Sequence, residues 1–217
     1  MLKAVLWDFG GVLTSSPFEA FGRYEVEHNL PKDFIRSINA TNPDTNAWAQ
    51  FESSTIGATE FDVAFARESS AKGHEIKGKD VLALLSGDIR PRMVAALKQI
   101  KQHYRVGCIT NNVKSGQGAG MARSEEKATA VAAVMALFDT IIESSVVGVR
   151  KPDLKIYQMA CEAMQIEPHE ALFLDDLGIN LKPAKALGMT TIKVLSEAQA
   201  LADLEQILGL SFSLTAE

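Results

Sequence analysis

Short apolar runs alternate with amphipathic stretches along most of the chain. The runs "AVLW" (4–7), "RVGCIT" (105–110), "DTIIES" (139–144), "ALFL" (171–174) and "TTIKVL" (190–195) are brief, rich in β-branched residues and nearly continuous in apolar side chains. That pattern predicts strands buried on both faces. In 91–102, Met93, Val94, Leu97 and Ile100 share one helical face, and Pro91 suits the first turn. Ile156, Tyr157, Ala160 and Met164 line a second helix in 153–165; Pro152 is a natural first helical residue there. Leu201, Leu204 and Leu208 line a third in 197–208, with Gly209 at the C-cap position. Strand–helix alternation over 90–208 predicts an α/β fold with a doubly wound, Rossmann-like parallel sheet.

Residues 15–88 depart from this rhythm. They hold no convincing strand, and "PFEAFGRYEVEHNL", "PKDFIRSI", "NAWAQFESS", "ATEFDVAFARES" and "KDVLALLS" read as successive short helices. The expectation is a core domain made of 1–14 and 89–217, with a small helical cap domain at 15–88 inserted after the first strand. Trp48, Phe51, Phe61 and Phe65 are expected mainly in the core of that cap.

Composition narrows the partners more than the fold. The chain has 217 residues, 47% hydrophobic and 23% charged, enough for one core domain with an insertion. A net charge of -5 provides no global basic field for nucleic acid or an anionic membrane, so an anionic substrate must be held by local groups. Cys108 and Cys161 do not make a disulfide framework. The N-terminal apolar run is too short for a signal peptide core or a membrane span. A cytoplasmic protein, monomeric or homodimeric, is expected.

Candidate chemistry sits where doubly wound sheets bind ligands, beyond the carboxyl ends of the strands. Asp8 follows the first strand, Thr110, Asn111 and Asn112 end the second, "GVRKPD" with Lys151 follows the third, and Asp175 and Asp176 follow the fourth. Two or three carboxylates with waters form a hard oxygen site suited to Mg²⁺. A lysine and the metal can neutralise a phosphoryl group, hydroxyl and amide groups can bond its oxygens, and a central carboxylate can attack phosphorus. Taken singly, each residue is an ordinary turn, cap or solvated loop residue; their coincidence at four strand ends points to a site. The run "GQGAG" (116–120) lacks the spacing of a phosphate loop. Arg150 reads as a solvated loop residue.

The segments "DFGGVLT", "ITNN", "GVRKPD" and "FLDDLGINLKPAKALGM" occur in the order found in the haloacid dehalogenase-like hydrolase superfamily, which the chain resembles over nearly its whole length. With "FESSTIGATEF", they are most similar to the branch containing the N-terminal phosphatase domain of soluble epoxide hydrolase. The resemblance implies a Mg²⁺-dependent phosphatase acting on a small phosphorylated metabolite through an aspartyl-phosphate on Asp8. It implies Asp8, the Gly10 carbonyl and Asp176 as metal ligands, Thr110, Asn111 and Lys151 as phosphate-binding groups, and Asp175 in support. Phosphatases of this superfamily usually carry a second Asp, a general acid–base, where this chain has Gly10. General acid–base catalysis is typically worth about 10²–10⁴-fold, so substrates with good leaving groups are favoured. Two other readings stay open: a 2-haloacid dehalogenase, which lacks the second Asp but also lacks the acidic pair, and a non-catalytic protein that binds phosphorylated ligands.

Overall fold

Five parallel strands form the centre of the computed structural model, which describes residues 1–112 and 125–212. They are β1 (Ala4–Trp7), β2 (Arg105–Thr110), β3 (Thr140–Glu143), β4 (Ala171–Asp175) and β5 (Thr190–Lys193), in the spatial order β3-β2-β1-β4-β5. Trp7 stands opposite Cys108 on one side and Leu174 on the other, so the three central strands end at one edge. After β1 come α1 (Pro17–Glu27), α2 (Phe34–Asn39), α3 (Ala47–Glu52), α4 (Ala58–Ser70) and α5 (Gly78–Ala83). The chain then continues through α6 (Pro91–Ile100), α7 (Glu125–Met135), α8 (Ser144–Val147), α9 (Leu154–Met164), α10 (Gly178–Ala186) and α11 (Glu197–Leu208).

The pleat sorts β1 into two cores. Val5 and Trp7 join Cys108, Leu172 and Leu174 beneath α6, α7 and α11. Ala4 and Leu6 join Ile109 and Phe173 beneath α9 and α10. A third cluster, built around Phe51, Phe61 and Phe65, draws only on residues between Phe21 and Leu85. Trp48 packs edge-on to Phe61 at its margin, with ring centroids 5.7 Å apart. Helices α1–α5 pack chiefly on one another. Their connection to it is narrow: Thr14 pairs antiparallel with Ile89, Ser15 N–H donates to the Asp88 carbonyl, and Arg90 N–H donates to the Leu13 carbonyl, the last two at 2.8 Å.

Local chemistry accounts for the helix starts. Ser16 and Asn46 cap α1 and α3 by accepting backbone N–H bonds, and Ser196 does the same for α11, with Gly209 closing that helix in the left-handed region. Buried Glu25 accepts the Asp33 and Ile35 N–H groups at 2.8 and 3.0 Å and so serves the start of α2 from outside.

Three details differ from the sequence pattern. β3 and β5 are edge strands, each with one buried residue, Ile142 and Ile192, instead of two covered faces. Helix α7 carries alanines where an apolar stripe would be legible, and buries Val131 and Val134. Helix α9 begins at Leu154 with Asp153 as its cap, leaving Pro152 outside. The "GQGAG" run lies outside the described residues. Among those described, no helix is long and apolar enough to cross a membrane.

Candidate active site

Strand order decides what Asp8 meets. In the order β3-β2-β1-β4-β5 the winding reverses between β1 and β4, and such switch points open the crevice where doubly wound sheets bind ligands. Asp8 follows β1 and its N–H donates to the Leu174 carbonyl of β4 at 2.8 Å, which sets it beside Asp175 and Asp176. Lys151, almost fully buried, bridges the two strands: its Nζ lies 2.8 Å from Asp8 Oδ1 and 2.8 Å from Asp175 Oδ2.

The three carboxylates are not equivalent. Asp8 Oδ1 accepts both Lys151 and the Phe9 N–H, the latter at 2.7 Å, while Oδ2 accepts no hydrogen bond from the described residues. Asp175 is saturated. Besides Lys151, its Oδ1 accepts the Leu177 N–H at 2.8 Å, and both oxygens lie 3.1 Å from Asn180 Nδ2. Asn180 is held in turn by the Tyr157 hydroxyl, which donates to its carbonyl at 2.7 Å. Asp176 Oδ2 accepts the Ser16 hydroxyl, at 3.3 Å. Asp175 thus fixes the lysine, and Asp8 and Asp176 keep oxygens to offer.

Burial dominates the electrostatics. It pushes Asp8 up to about 8: the Lys151 ammonium pulls against this, and Asp175 and Asp176 add to it. Burial, reinforced by Asp175, raises Asp176 to about 6. For Lys151 burial works against the charge, but Asp175 and Asp8 outweigh it and hold the ammonium protonated.

Three carboxylates against one ammonium leave two uncompensated negative charges when all are ionised. Oxygens of Asp8, Asp175 and Asp176 lie within 4.8 Å of one another. An all-oxygen donor set with that charge fits a hard divalent cation such as Mg²⁺ better than a soft metal.

The turn after Asp8 contains two different glycines. Gly11 has φ +75°, and a Cβ there would lie 2.2 Å from Asp176 Oδ2. Gly10 lies outside the left-handed region, and a Cβ there meets nothing within 4 Å. The glycine at position 10 is therefore not required by the backbone.

Thr110 is buried at the end of β2, and its hydroxyl carries no hydrogen bond among the described residues. Asn111 bonds to the segment that carries Lys151. Its Oδ1 accepts the Lys151 N–H at 2.9 Å and its Nδ2 donates to the Lys151 carbonyl at 3.1 Å, so its carboxamide clamps the lysine's backbone. Asn112 N–H donates to Ser144 Oγ at 3.0 Å. Arg150 is not solvated: its Nη1 pairs with Glu52 Oε2 at 2.6 Å. Asn180, Gly11, Ser16 and Glu52 escaped the sequence reading. Only "DDLGIN" hinted at one of them, because an Asn one turn into a helix can point back at its start.

A Rossmann-like sheet with a lysine-bridged carboxylate pair at its switch point is the frame of an enzyme that works through acidic groups. Residues 2–188 match the family described as haloacid dehalogenase-like hydrolase, and the chain belongs to that family. Acyl-CoA dehydrogenase family member 10 of Mus musculus is 32% identical over 95% of this chain and 19% of its own length. Bifunctional epoxide hydrolase 2 of Mus musculus is 30% identical over 97% of this chain and 40% of its own length. The chain therefore spans less than half of either relative. A sesquiterpene phosphatase of Aspergillus oryzae is 27% identical over 95% of this chain and 97% of its own length. Among solved structures, a haloacid dehalogenase-family enzyme of Bacteroides thetaiotaomicron in complex with magnesium and inorganic phosphate shares the fold. It is 21% identical over 92% of this chain and 99% of that one, with a TM-score of 0.58.

Proposed function

We propose that the protein is a phosphatase of small phosphorylated metabolites, with Asp8 as nucleophile and residues 15–88 as a cap over the site. The observation that carries this reading is the asymmetry of Asp8: Oδ1 is anchored by Phe9 and Lys151, Oδ2 accepts no hydrogen bond from the described residues, and a carboxylate oxygen of Asp8 lies within 4.8 Å of one of Asp176. Asp8 Oδ2 attacks phosphorus, the bond to the leaving oxygen breaks, and an aspartyl-phosphate results. Lys151 offsets charge on the phosphoryl oxygens and the Thr110 hydroxyl donates to one of them. Asn111 holds Lys151 in place, and Asp175 with Asn180 fixes the direction of its ammonium. Water then attacks phosphorus, the bond between phosphorus and the Asp8 oxygen breaks, and inorganic phosphate leaves with Asp8 regenerated.

Asp8, Asp176 and the Gly10 carbonyl would hold Mg²⁺, which when bound supplies further neutralisation of the phosphoryl charge. No side chain at position 10 protonates the leaving group, so substrates that need little acid help are favoured. The phosphatase relative of similar length and the structural neighbour solved with magnesium and phosphate support this reading. Retention of Asp175 and Asp176 disfavours the dehalogenase alternative.

The test is phosphate release over a panel of phosphorylated metabolites, with and without Mg²⁺, for wild type and Asp8→Asn. Mg²⁺-dependent release lost in the variant is expected. Substantial release by purified Asp8→Asn would overturn the assignment of the nucleophile, and halide release from 2-haloacids would replace the reading.

A further inference from the structure

The segment that carries Lys151 makes a second set of bonds, to the helical layer above it. Arg150 Nη1 meets Glu52 Oε2 at 2.6 Å, and Nη2 donates to the Pro43 carbonyl at 2.6 Å. The two charged side chains are only 21% and 13% exposed, which makes this a shielded pair unlike the exposed ones elsewhere on the molecule. Ser144 Oγ lies 3.3 Å from the Glu52 carbonyl, which competes for its single proton with the Asn112 carbonyl at 3.1 Å.

Among the described residues, few other polar contacts join the layers. Helices α1–α5 pack on one another, and the sheet-side helices pack on the strands. Among the described residues, the other polar bridges between the layers lie beside the two connecting segments: Ser16 to Asp176, and Lys127 to Asp88. A layer joined by two connecting segments and by a separate ion pair can swing about the segments when that pair opens.

The sheet side of the contact is independently braced. Asn111 grips the backbone of Lys151 on both N–H and carbonyl, and Asn112 holds Ser144. Release of Arg150 from Glu52 therefore leaves the Lys151–Asp8–Asp175 bridge built.

We propose that Arg150 and Glu52 form the latch that holds the helical layer closed over Asp8, so that Arg150 acts on closure and not on the phosphoryl group. The kinetic consequence rests on the phosphatase reading; the conformational one does not. If only a fraction of molecules is closed and competent, apparent affinity falls by that fraction while turnover of the closed complex is preserved.

The experiment uses spin labels on Val63→Cys in α4 and Leu195→Cys after β5, positions 70% and 73% exposed. The native cysteines, Cys108 and Cys161, are buried. Pulsed dipolar spectroscopy reads the label distance in wild type, Arg150→Met, Glu52→Gln and the double variant. A longer, broader distribution is expected in each single variant, with the double no broader than the wider single. Unchanged distances, or additive broadening, overturn the latch. With a substrate in hand, KM should rise about tenfold with kcat within about twofold; a fall in kcat at unchanged distance would place Arg150 in the chemistry and equally overturn it. If Arg150→Met fails to fold, Arg150→Lys, which keeps the charge and drops the Pro43 bond, gives the same readout at smaller amplitude. If wild type releases phosphate from nothing, the phosphatase reading fails while the distances still decide the latch.

Discussion

Gly10 and Gly11 are chain neighbours with opposite tolerances. Position 10 accepts a side chain without backbone strain or collision, whereas a methyl group at position 11 would drive into Asp176 from a left-handed backbone. Gly11→Ala should therefore weaken Mg²⁺ binding at least tenfold in calorimetric titration, and Gly10→Ala should leave it nearly unchanged. Gly10→Asp becomes a clean test of the missing acid. Turnover of alkyl phosphates should rise more than that of aryl phosphates, within the roughly 10²–10⁴-fold reach of general acid catalysis. Equal gains, or none, would mean that another group already supplies the proton. Lys151→Met is a harsher change, since it leaves two buried carboxylates facing each other without their cation. It should cost about 3–5 kcal/mol of stability in addition to activity, measurable by urea titration. The residue types of the site were legible from their strand-end positions; their division of labour was not. Nothing in "DFGG" distinguishes the glycine that must be glycine, and nothing in "ITNN" says that Asn111 clamps a lysine backbone.

Elements were legible where one pattern dominated. The centres of β1, β2 and β4 are apolar on both faces and become central strands, and α6, α9 and α11 carry clear stripes. Helix α7 was missed because alanine favours helix without marking a face. Edge strands β3 and β5 share the apolar look of central ones because strand composition does not record which neighbour is absent. Asp139 shows how elements are tied together at a boundary. Its carboxylate accepts the Val106 N–H at the start of β2, 2.9 Å away, and pairs with Lys101 after α6 at 3.0 Å. Partial burial raises its pKa, but the Val106 bond and Lys101 outweigh burial and hold the carboxyl below its ordinary value. A depressed pKa means stability that is present above the unfolded value and lost as pH falls through the folded one. Asp139→Asn should therefore cost on the order of 1 kcal/mol at pH 7, a hydrogen-bond-sized effect kept modest by solvent access. The gap between variant and wild type in urea midpoint should shrink below about pH 4; a gap that persists undiminished in acid would refute the electrostatic origin.

At the scale of the molecule, a divalent cation held by the acidic cluster would stabilise the folded state. Ligand binding to the native state alone stabilises by about 2.7 kcal/mol at a hundredfold excess over Kd. Mg²⁺ should raise the thermal midpoint, and Asp176→Asn should abolish most of that rise while retaining the fold. An equal rise in the variant would exclude Asp176 as a ligand. The sequence by itself determined the strand–helix alternation, the helical insertion between the first strand and the rest, and the residue types at each strand end. These follow from local patterns: apolar periodicity, caps and turns act over a few residues and are written in them. Tertiary structure alone decided that β1 lies between β2 and β4, that Asp8 therefore stands beside Asp175 and Asp176, and that Lys151 bridges them. It also decided that Glu52 reaches Arg150 across the two layers. Those pairings join residues far apart in the chain, and they depend on which strand edges and helix faces bury the most apolar surface together, a property of the whole packing that no short segment carries.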